Sequence, residues 1–265
     1  MSKVGSTVSS SDATIAYEVH GDAGAPVLLF LNSIGSTRAL WDRQRRAFGG
    51  TCRVIRYDAR GHGQSDAPPG PYTIAQLGHD ALAILDAERI ATAHVCGLSL
   101  GGITALWLAV HAPERVRSLT MANTGARIGS AEFWDARMAL VRERGMKAVA
   151  DVAIPNWFTE GFRAREPATV QPFRDDIEST PVEGYVGCCA AMRDEDLRES
   201  LHAVRCPLLA IAGASDRSTP PELLQFVHER LPGSRLVVLQ AAHISNVEQE
   251  AAFNAALSTF LADHA

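Results

Sequence analysis

Apolar and polar positions alternate along most of the chain in a way that predicts a repeated order of strands and helices. Segments rich in apolar residues have the length of buried strands, and they cover residues 27–31, 52–57, 93–96, 116–122, 207–213 and 236–239. Residues 14–20 alternate as expected for an edge strand, and helical spacing occupies residues 73–89, 103–110, 220–231 and 247–262. This order predicts an α/β protein with a mostly parallel, doubly wound sheet and right-handed crossovers.

Residues 123–200 interrupt the alternation, because they contain helical patterns and no strand signal. The segment is too long for a loop inside a compact domain. We therefore expect a core formed by residues 1–122 and 201–265, with residues 123–200 inserted as a helical cap. The insert is rich in aromatic residues, most of which should pack within it. One or two should face an apolar pocket, and Trp134 is the best candidate because it closely follows a strand end.

Composition restricts the possible partners of the chain. The 265 residues carry a net charge of −5, with no basic patch typical of nucleic-acid binding. No apolar run approaches the roughly 20 residues of a membrane span, and no signal-peptide pattern is present, so we expect a cytoplasmic protein without a membrane partner. The five cysteines lack CxxC spacing, which argues against disulfides and against a metal site. The sequence does not indicate the oligomeric state.

The most informative motif is Gly-Leu-Ser-Leu-Gly at residues 97–101. It lies between an apolar strand segment and an apolar helix segment, with Ser99 at the turn. A sharp strand–turn–helix of this kind exposes a nucleophilic serine, and small flanking residues allow strand and helix to approach. The first helical N–H groups also lie beside the serine and can stabilise an oxyanion. We therefore interpret Ser99 as a nucleophile.

A catalytic serine needs a base, and the base needs an orienting carboxylate. Asp216 and His243 each follow an apolar strand segment, at the strand ends where open α/β sheets bind ligands. Their order after Ser99 is the one that this type of elbow requires. The other histidines have less suitable positions; His94, for example, lies within the strand before the turn. The sequence thus predicts a Ser99–His243–Asp216 triad.

These motifs make the chain resemble the α/β-hydrolase superfamily over nearly its whole length. Supporting segments are Asp-Ala-Arg-Gly-His-Gly at residues 58–63 and the elbow itself, which are general to the superfamily. Within it, the chain is most similar to the 3-oxoadipate enol-lactonases, or β-ketoadipate enol-lactone hydrolases, of bacterial aromatic catabolism. Asn-Ser-Ile-Gly at residues 32–35 and His-Ile-Ser-Asn-Val-Glu-Gln at residues 243–249 carry that closer resemblance.

The resemblance implies a serine hydrolase that opens a small-molecule lactone, the enol-lactone of 3-oxoadipate, without a metal or organic cofactor. It also implies that the backbone N–H groups of Ile34 and Leu100 form the oxyanion hole. Asn32 and Ser33 stand where related hydrolases usually have His-Gly, which changes the oxyanion loop. Asn32 then shapes the loop by hydrogen bonding, and Ser33 lies near the substrate.

The implied substrate keeps one free carboxylate, and burying that charge under a cap requires a local partner. Candidate arginines are Arg127, Arg137, Arg193 and, beside the triad acid, Arg217. Backbone amides together with Ser33 are the alternative partner. Other functions stay open, because fold and triad do not fix the substrate. The alternatives are a general carboxylesterase, a C–C hydrolase or a perhydrolase on the same fold, and a non-catalytic ligand receptor that has kept the fold.

Overall fold

The computed structural model describes residues 3–264, which form one eight-stranded sheet with helices around it. The strands are β1 Lys3–Ser10, β2 Ala13–His20, β3 Val27–Leu31, β4 Arg53–Tyr57, β5 Ala93–Leu98, β6 Val116–Ala122, β7 Leu208–Gly213 and β8 Arg235–Leu239. They lie in the order β1-β2-β4-β3-β5-β6-β7-β8. The β1–β2 and β2–β4 pairs are antiparallel and all other pairs are parallel. The predicted mostly parallel sheet is confirmed.

Six helices belong to the core: α1 Asp42–Phe48, α2 Ile74–Ala87, α3 Leu100–His111, α8 Pro221–Arg230, α9 Ser245–Glu248 and α10 Glu250–Ala262. Helix α2 begins at a capping box in which Thr73 and Gln76 satisfy each other's backbone N–H groups. The central strand β5 is buried throughout, and so is nearly all of α3 that follows it. This buried strand–helix unit is the rigid base from which the site is built.

The structure differs from the sequence-based expectation at three elements. Strand β2 is not at the sheet edge, because β1 pairs with its outer side; residues 3–10 are rich in serine and gave no strand pattern. Helix α1 was not predicted. The helix expected at residues 247–262 is divided into α9 and α10 at Gln249, whose φ of −126° and ψ of 50° interrupt the helix.

Four further helices, which we call the cap helices, lie between β6 and β7. They are α4 Ala131–Trp157, α5 Glu160–Arg165, α6 Pro167–Ser179 and α7 Val182–Asp194. Helix α4 is interrupted at Gly145, whose φ is +72°. The Ser130 and Thr159 side chains cap α4 and α5 by accepting hydrogen bonds from their third helical residues. The division of the chain into core and cap at residues 122 and 200 stays a prediction.

The cap helices contact the core at closely approaching glycines. A Cβ added at Gly184 in α7 would lie 2.4 Å from the Gly61 Cα, so the two backbones touch directly. Gly61 also has a φ of +80°, a conformation that side chains disfavour. None of the helices within residues 3–264 is both long and apolar enough to span a membrane.

Candidate active site

Ser99 lies at the sharp turn between β5 and α3, with a φ of +57° and a ψ of −117°. The flanking glycines are required by close backbone approaches. A Cβ on Gly97 would lie 2.0 Å from the Gly101 carbonyl oxygen, and one on Gly101 would lie 2.2 Å from the Leu31 carbonyl oxygen. The local sequence therefore permits the strained turn, which places the serine at the first turn of α3.

His243 and Asp216 meet at the carboxyl ends of β7 and β8. The His243 Nδ1 lies 2.9 Å from Asp216 Oδ2, and both side chains are almost fully buried. The Thr219 hydroxyl donates to the same carboxylate oxygen at 2.7 Å and lies 3.2 Å from His243 Nδ1. The Ser218 and Thr219 backbone N–H groups donate to Asp216 Oδ1. Because these contacts involve His243 Nδ1, the other ring nitrogen, Nε2, remains available to interact with Ser99.

The environment of Asp216 keeps its carboxylate charged. Burial acts to raise the pKa of this group, but the adjacent His243 and the hydrogen-bond donors lower it more, so the net pKa lies below the ordinary 3.8. One of those donors is the Asn123 amide, at 2.9 Å from Asp216 Oδ2. Asn123 also donates to the Ala242 carbonyl oxygen at 3.2 Å. It therefore connects the acid to the loop that carries His243.

The segment between β3 and α1 is the one that the sequence predicts to be the oxyanion loop. The Asn32 amide donates to the Tyr57 carbonyl oxygen at 2.6 Å, which fixes the start of the loop. The Gly35 N–H donates to His62 Nε2 at 2.8 Å, and burial lowers the pKa of His62, so a neutral imidazole supports the loop directly after Ile34. Within residues 3–264, the Ile34 and Leu100 N–H groups have no acceptor, which leaves both available to a ligand.

A cavity of about 310 Å³ lies between the core and the cap helices, and Ser99, His243 and Ile34 line it. This volume suits a small organic molecule. Most of the opposite wall is apolar and comes from cap residues such as Trp134 and Trp157. The Trp157 ring centroid is 6.3 Å from that of His243. No direct hydrogen bond between Ser99 and His243 is present among the described residues; catalytic hydrogen bonds of this kind often shorten only when the substrate binds.

Two of the four candidate arginines line this cavity. Arg137 and Arg217 do so, and neither has an acidic partner within 4 Å in the described part of the chain. Arg127 and Arg193 lie elsewhere, so a pocket contact for them was a wrong expectation. Their charges are neutralised outside the cavity, by Asp196 at 3.1 Å from Arg127 and by Asp135 and Asp194 for Arg193.

Ser33 is also absent from the cavity wall. Its side chain is 1% exposed, and its hydroxyl has no hydrogen-bond partner among the described residues. Ser36 donates twice to the Ser33 carbonyl oxygen, through its backbone N–H and its hydroxyl. Ser33 is not among the residues that line the cavity, and its contact with the substrate stays a prediction.

Sequence reasoning missed several residues around the site. Asn123 directly follows β6 at the same sheet edge as Asp216, so the strand-end argument could have selected it. Thr219 follows Asp216 by three residues, and no pattern in the sequence distinguishes it. Tyr185 lines the cavity from α7, and only the tertiary placement of that helix shows it. Among residues 3–264, no group of three or more His, Cys, Asp or Glu side chains is arranged to hold a metal ion.

Comparisons with known proteins agree with this geometry. A family model described as the alpha/beta hydrolase fold matches residues 26–250. The chain is 44% identical to 3-oxoadipate enol-lactonase 2 of Acinetobacter baylyi over 96% of both chains. It is 36% identical to 3-oxoadipate enol-lactonase 1 of that organism, over 94% of this chain and 93% of the relative. The solved enol-lactonase from Burkholderia xenovorans LB400 matches with a TM-score of 0.95 at 38% identity, covering 97% of this chain and 100% of that one.

Proposed function

The chain belongs to the alpha/beta hydrolase fold family, and we propose that it is a serine hydrolase that opens the enol-lactone of 3-oxoadipate. The product is 3-oxoadipate, an intermediate of bacterial aromatic catabolism by the β-ketoadipate pathway. The observation that carries the proposal is that Ser99 and a carboxylate-held His243 line one cavity under an apolar roof. The likeness to two enol-lactonases over nearly the full chain supports the choice of substrate.

In the first step, His243 accepts the Ser99 proton while Ser99 Oγ attacks the lactone carbonyl carbon. Asp216 holds the imidazole in the tautomer that this transfer needs and stabilises the imidazolium that forms. The Ile34 and Leu100 N–H groups donate to the tetrahedral oxyanion. Since neither N–H has an acceptor among the described residues, both can reach the oxyanion without breaking an existing bond.

Collapse of the tetrahedral intermediate breaks the ring C–O bond and releases an enolate. An enolate leaves more readily than an alkoxide, so it needs less assistance from the protonated His243. The enolate takes the proton from the His243 imidazolium, which restores the neutral base, and the resulting enol tautomerises to the ketone. In the second step, His243 removes a proton from water and the resulting hydroxide attacks the Ser99 ester. The tetrahedral intermediate then expels Ser99, which takes the proton back from His243, and the acyl group leaves as a carboxylic acid that ionises to the carboxylate. The triad and the oxyanion hole supply all of the groups that these steps use.

Arg137 is the residue that we assign to the free carboxylate of the substrate. It lines the cavity, has no acidic partner among the described residues, and lies with its guanidinium carbon 5.4 Å from the Phe133 ring centroid. Arginine suits this task because its planar fork can bind both carboxylate oxygens. Arg217 is more exposed and lies at the triad side. Trp134 supplies apolar contact to the substrate ring.

The substrate is thus a small lactone, and we place the reaction in the cytoplasm. All five cysteines are free thiols, four of them buried. That arrangement suits a reducing compartment.

The decisive experiment compares turnover of the enol-lactone with turnover of p-nitrophenyl acetate by wild-type protein and by Ser99→Ala. We expect a kcat/KM that strongly favours the lactone, and a fall in kcat of about four to six orders of magnitude for Ser99→Ala. Ser9→Ala, at an exposed serine of β1, is the matched control and should behave as wild type. Equal handling of both substrates would favour a general esterase, and binding without turnover would favour a receptor.

A second experiment tests the carboxylate anchor with the enol-lactone and its methyl ester. Wild type should prefer the free acid, and Arg137→Ala should lose that preference by about 10- to 100-fold, as expected for loss of a charge-assisted hydrogen bond. Arg193→Ala is the matched control, because Arg193 is a cap arginine whose charge is already paired outside the cavity. A preference retained in Arg137→Ala would move the assignment to Arg217.

A further inference from the structure

We propose that Glu248 is a positioning residue that fixes the His243 loop to the cap helices. The proposal rests on the role of His243 as the base in the proposed function. Glu248 is the last residue of α9, five residues after His243. It does not line the cavity, so it acts through its neighbours and not on the substrate.

The Glu248 carboxylate joins two parts of the chain that are far apart in sequence. Its Oε2 accepts a hydrogen bond from the Ala242 N–H at 3.0 Å and another from the Thr159 N–H at 3.2 Å. Its Oε1 accepts from the Thr159 hydroxyl. Ala242 directly precedes His243, and Thr159 lies between α4 and α5. One side chain therefore connects the residue before the base to the junction of two cap helices.

The residue after the base is held by the same junction. The Ile244 N–H donates to the Trp157 carbonyl oxygen at 3.0 Å. On the opposite side, the Ala242 carbonyl oxygen accepts from the Asn123 amide. The backbone on either side of His243 is thus fixed to the cap, and the peptide before it is also fixed to the core. The Trp157 contact is a single backbone bond, whereas Glu248 supplies three bonds to a charged acceptor, which are stronger than neutral ones.

In the part of the chain that the structure describes, no basic side chain forms an ion pair with Glu248. Within the described residues, no Lys, Arg or His nitrogen lies within 4 Å of this carboxylate, and its hydrogen-bond donors are Ala242 and Thr159. Glu250, two residues further, pairs with Arg43 at 2.6 Å in the ordinary manner of a surface carboxylate. The contrast indicates that Glu248 serves the loop and the cap junction.

The consequence concerns the rate of the chemical steps. His243 must lie within hydrogen-bond reach of both Ser99 and the attacking water, and a displacement of about 1 Å can cost on the order of 100-fold in rate. Loss of Glu248 leaves the Ala242 N–H without its acceptor, and the Ile244–Trp157 bond then holds the His243 loop to the α4–α5 junction without the three Glu248 bonds. The cavity wall, which Glu248 does not touch, keeps its lining. The effect should therefore fall on kcat and spare KM.

The test measures kcat, KM and the thermal midpoint for Glu248→Gln, Glu248→Ala, Thr159→Val and Thr159→Ser, with Glu250→Gln as the matched control. Both the enol-lactone and p-nitrophenyl acetate are used as substrates. We expect kcat to fall about 10- to 100-fold in Glu248→Ala and less in Glu248→Gln, which keeps one accepting oxygen. Thr159→Val should lower kcat several-fold, while Thr159→Ser and Glu250→Gln retain wild-type values.

The double variant Glu248→Ala/Thr159→Val should be no slower than Glu248→Ala, because the Thr159 hydroxyl bond that Thr159→Val removes is already lost with the Glu248 carboxylate. A lower thermal midpoint with unchanged kcat would overturn the proposal and leave a purely structural role. If Glu248→Ala fails to fold, the kcat values of Thr159→Val and Thr159→Ser test the proposal instead: equal values would overturn it. The p-nitrophenyl acetate assay separates this test from the proposed function. If the wild-type protein cleaves the ester but not the lactone, the proposed substrate is wrong. The effect of the Glu248 variants on ester cleavage still tests whether Glu248 positions His243.

Discussion

At the scale of single residues, the Asp216 carboxylate is the most constrained group of the site. Its two oxygens accept from the side chains of His243, Asn123 and Thr219 and from the backbone N–H groups of Ser218 and Thr219. Every one of these groups donates, so a neutral side chain with an NH₂ group cannot replace the carboxylate without an unfavourable contact. The carboxylate thus determines which nitrogen of His243 carries the proton.

Asp216→Asn is therefore expected to lower kcat on the order of 10⁴-fold, because the amide favours the wrong tautomer of His243. KM should change little, since Asp216 does not line the cavity. Steady-state kinetics with the enol-lactone measures both constants. Asp86→Asn, at an exposed carboxylate, is the control. A variant Asp216→Asn that keeps a tenth of the wild-type kcat would contradict the predicted triad.

The residues that the sequence could select are those with a strong local signature. Ser99 lies between Gly97 and Gly101, which are needed because strand and helix approach closely at a sharp turn. Asp216 and His243 each follow an apolar strand, in the chain order Ser, Asp, His that is typical of this turn. Thr219 has no such signature, because its role depends on the distance to His243 across two strands. Local patterns thus identify chemical groups, whereas the groups that orient them depend on tertiary contacts.

At the scale of elements, the β5–β6 pair buries an ionisable side chain. His94 in β5 is 2% exposed, and its Nδ1 lies 2.7 Å from the Ser118 hydroxyl in β6. Burial lowers the pKa of His94 to about 4, with smaller effects from the charges of Arg117 and His264. The folded protein therefore keeps His94 neutral over a pH range in which an unfolded chain protonates it.

This difference predicts a loss of stability on acidification. Between pH 6.5 and about 4, the unfolded state binds the extra proton, so the free energy of unfolding falls as the pH is lowered. The contribution of His94 is at most about 3 kcal/mol. Urea unfolding at pH 7 and pH 4.5 should show a smaller difference in His94→Gln than in wild type. His202→Gln, at an exposed histidine, should keep the wild-type difference; an equal pH response in all three proteins would contradict the argument.

Elements with a strong periodic pattern were predictable from the sequence, and weakly patterned ones were not. Strand β6 has the predicted bounds, and α2 lies within the predicted helix. Helix α1 was missed because its sequence, Asp-Arg-Gln-Arg-Arg-Ala-Phe, contains few apolar positions. The break at Gln249 was missed because the helical spacing of apolar residues continues across it. The tertiary contacts of the neighbouring Glu248, which accepts hydrogen bonds from the Ala242 and Thr159 N–H groups, are not visible in that spacing.

At the scale of the whole molecule, the cavity arises where the cap helices meet the carboxyl edge of the sheet. The sequence predicts an insertion because strand signals stop at residue 122 and resume at residue 207, and helices α4–α7 lie between β6 and β7 in the structure. The cavity lining could not, because it depends on how each cap helix is rotated against the core. Arg137 and Arg193 illustrate this point: both are cap arginines, yet only the first faces the cavity.

The docking of the cap helices on the core therefore controls the shape of the cavity, and Gly184 is the place to test it. A Cβ at this position would lie 2.4 Å from the Gly61 Cα and carbonyl oxygen. Both are backbone atoms, so α7 itself must move. Gly184→Ala should cost about 1–3 kcal/mol, as overpacking does, although alanine would otherwise favour a helix by about 1 kcal/mol. Because Tyr185 lines the cavity from the same helix, KM for the enol-lactone should rise as well.

Thermal unfolding and steady-state kinetics of Gly184→Ala and Gly161→Ala separate this contact from a general effect of alanine in the cap helices. At Gly161, the nearest atom to an added Cβ is the end of the Arg165 side chain at 3.3 Å, which can move aside. That variant should match or exceed wild-type stability with an unchanged KM. Gly184→Ala should unfold roughly 2–12 °C lower, at the 2–4 °C per kcal/mol expected for a chain of this size. An unchanged midpoint and KM would show that α7 tolerates the added methyl group, and that the backbone contact with Gly61 does not set the position of the cap.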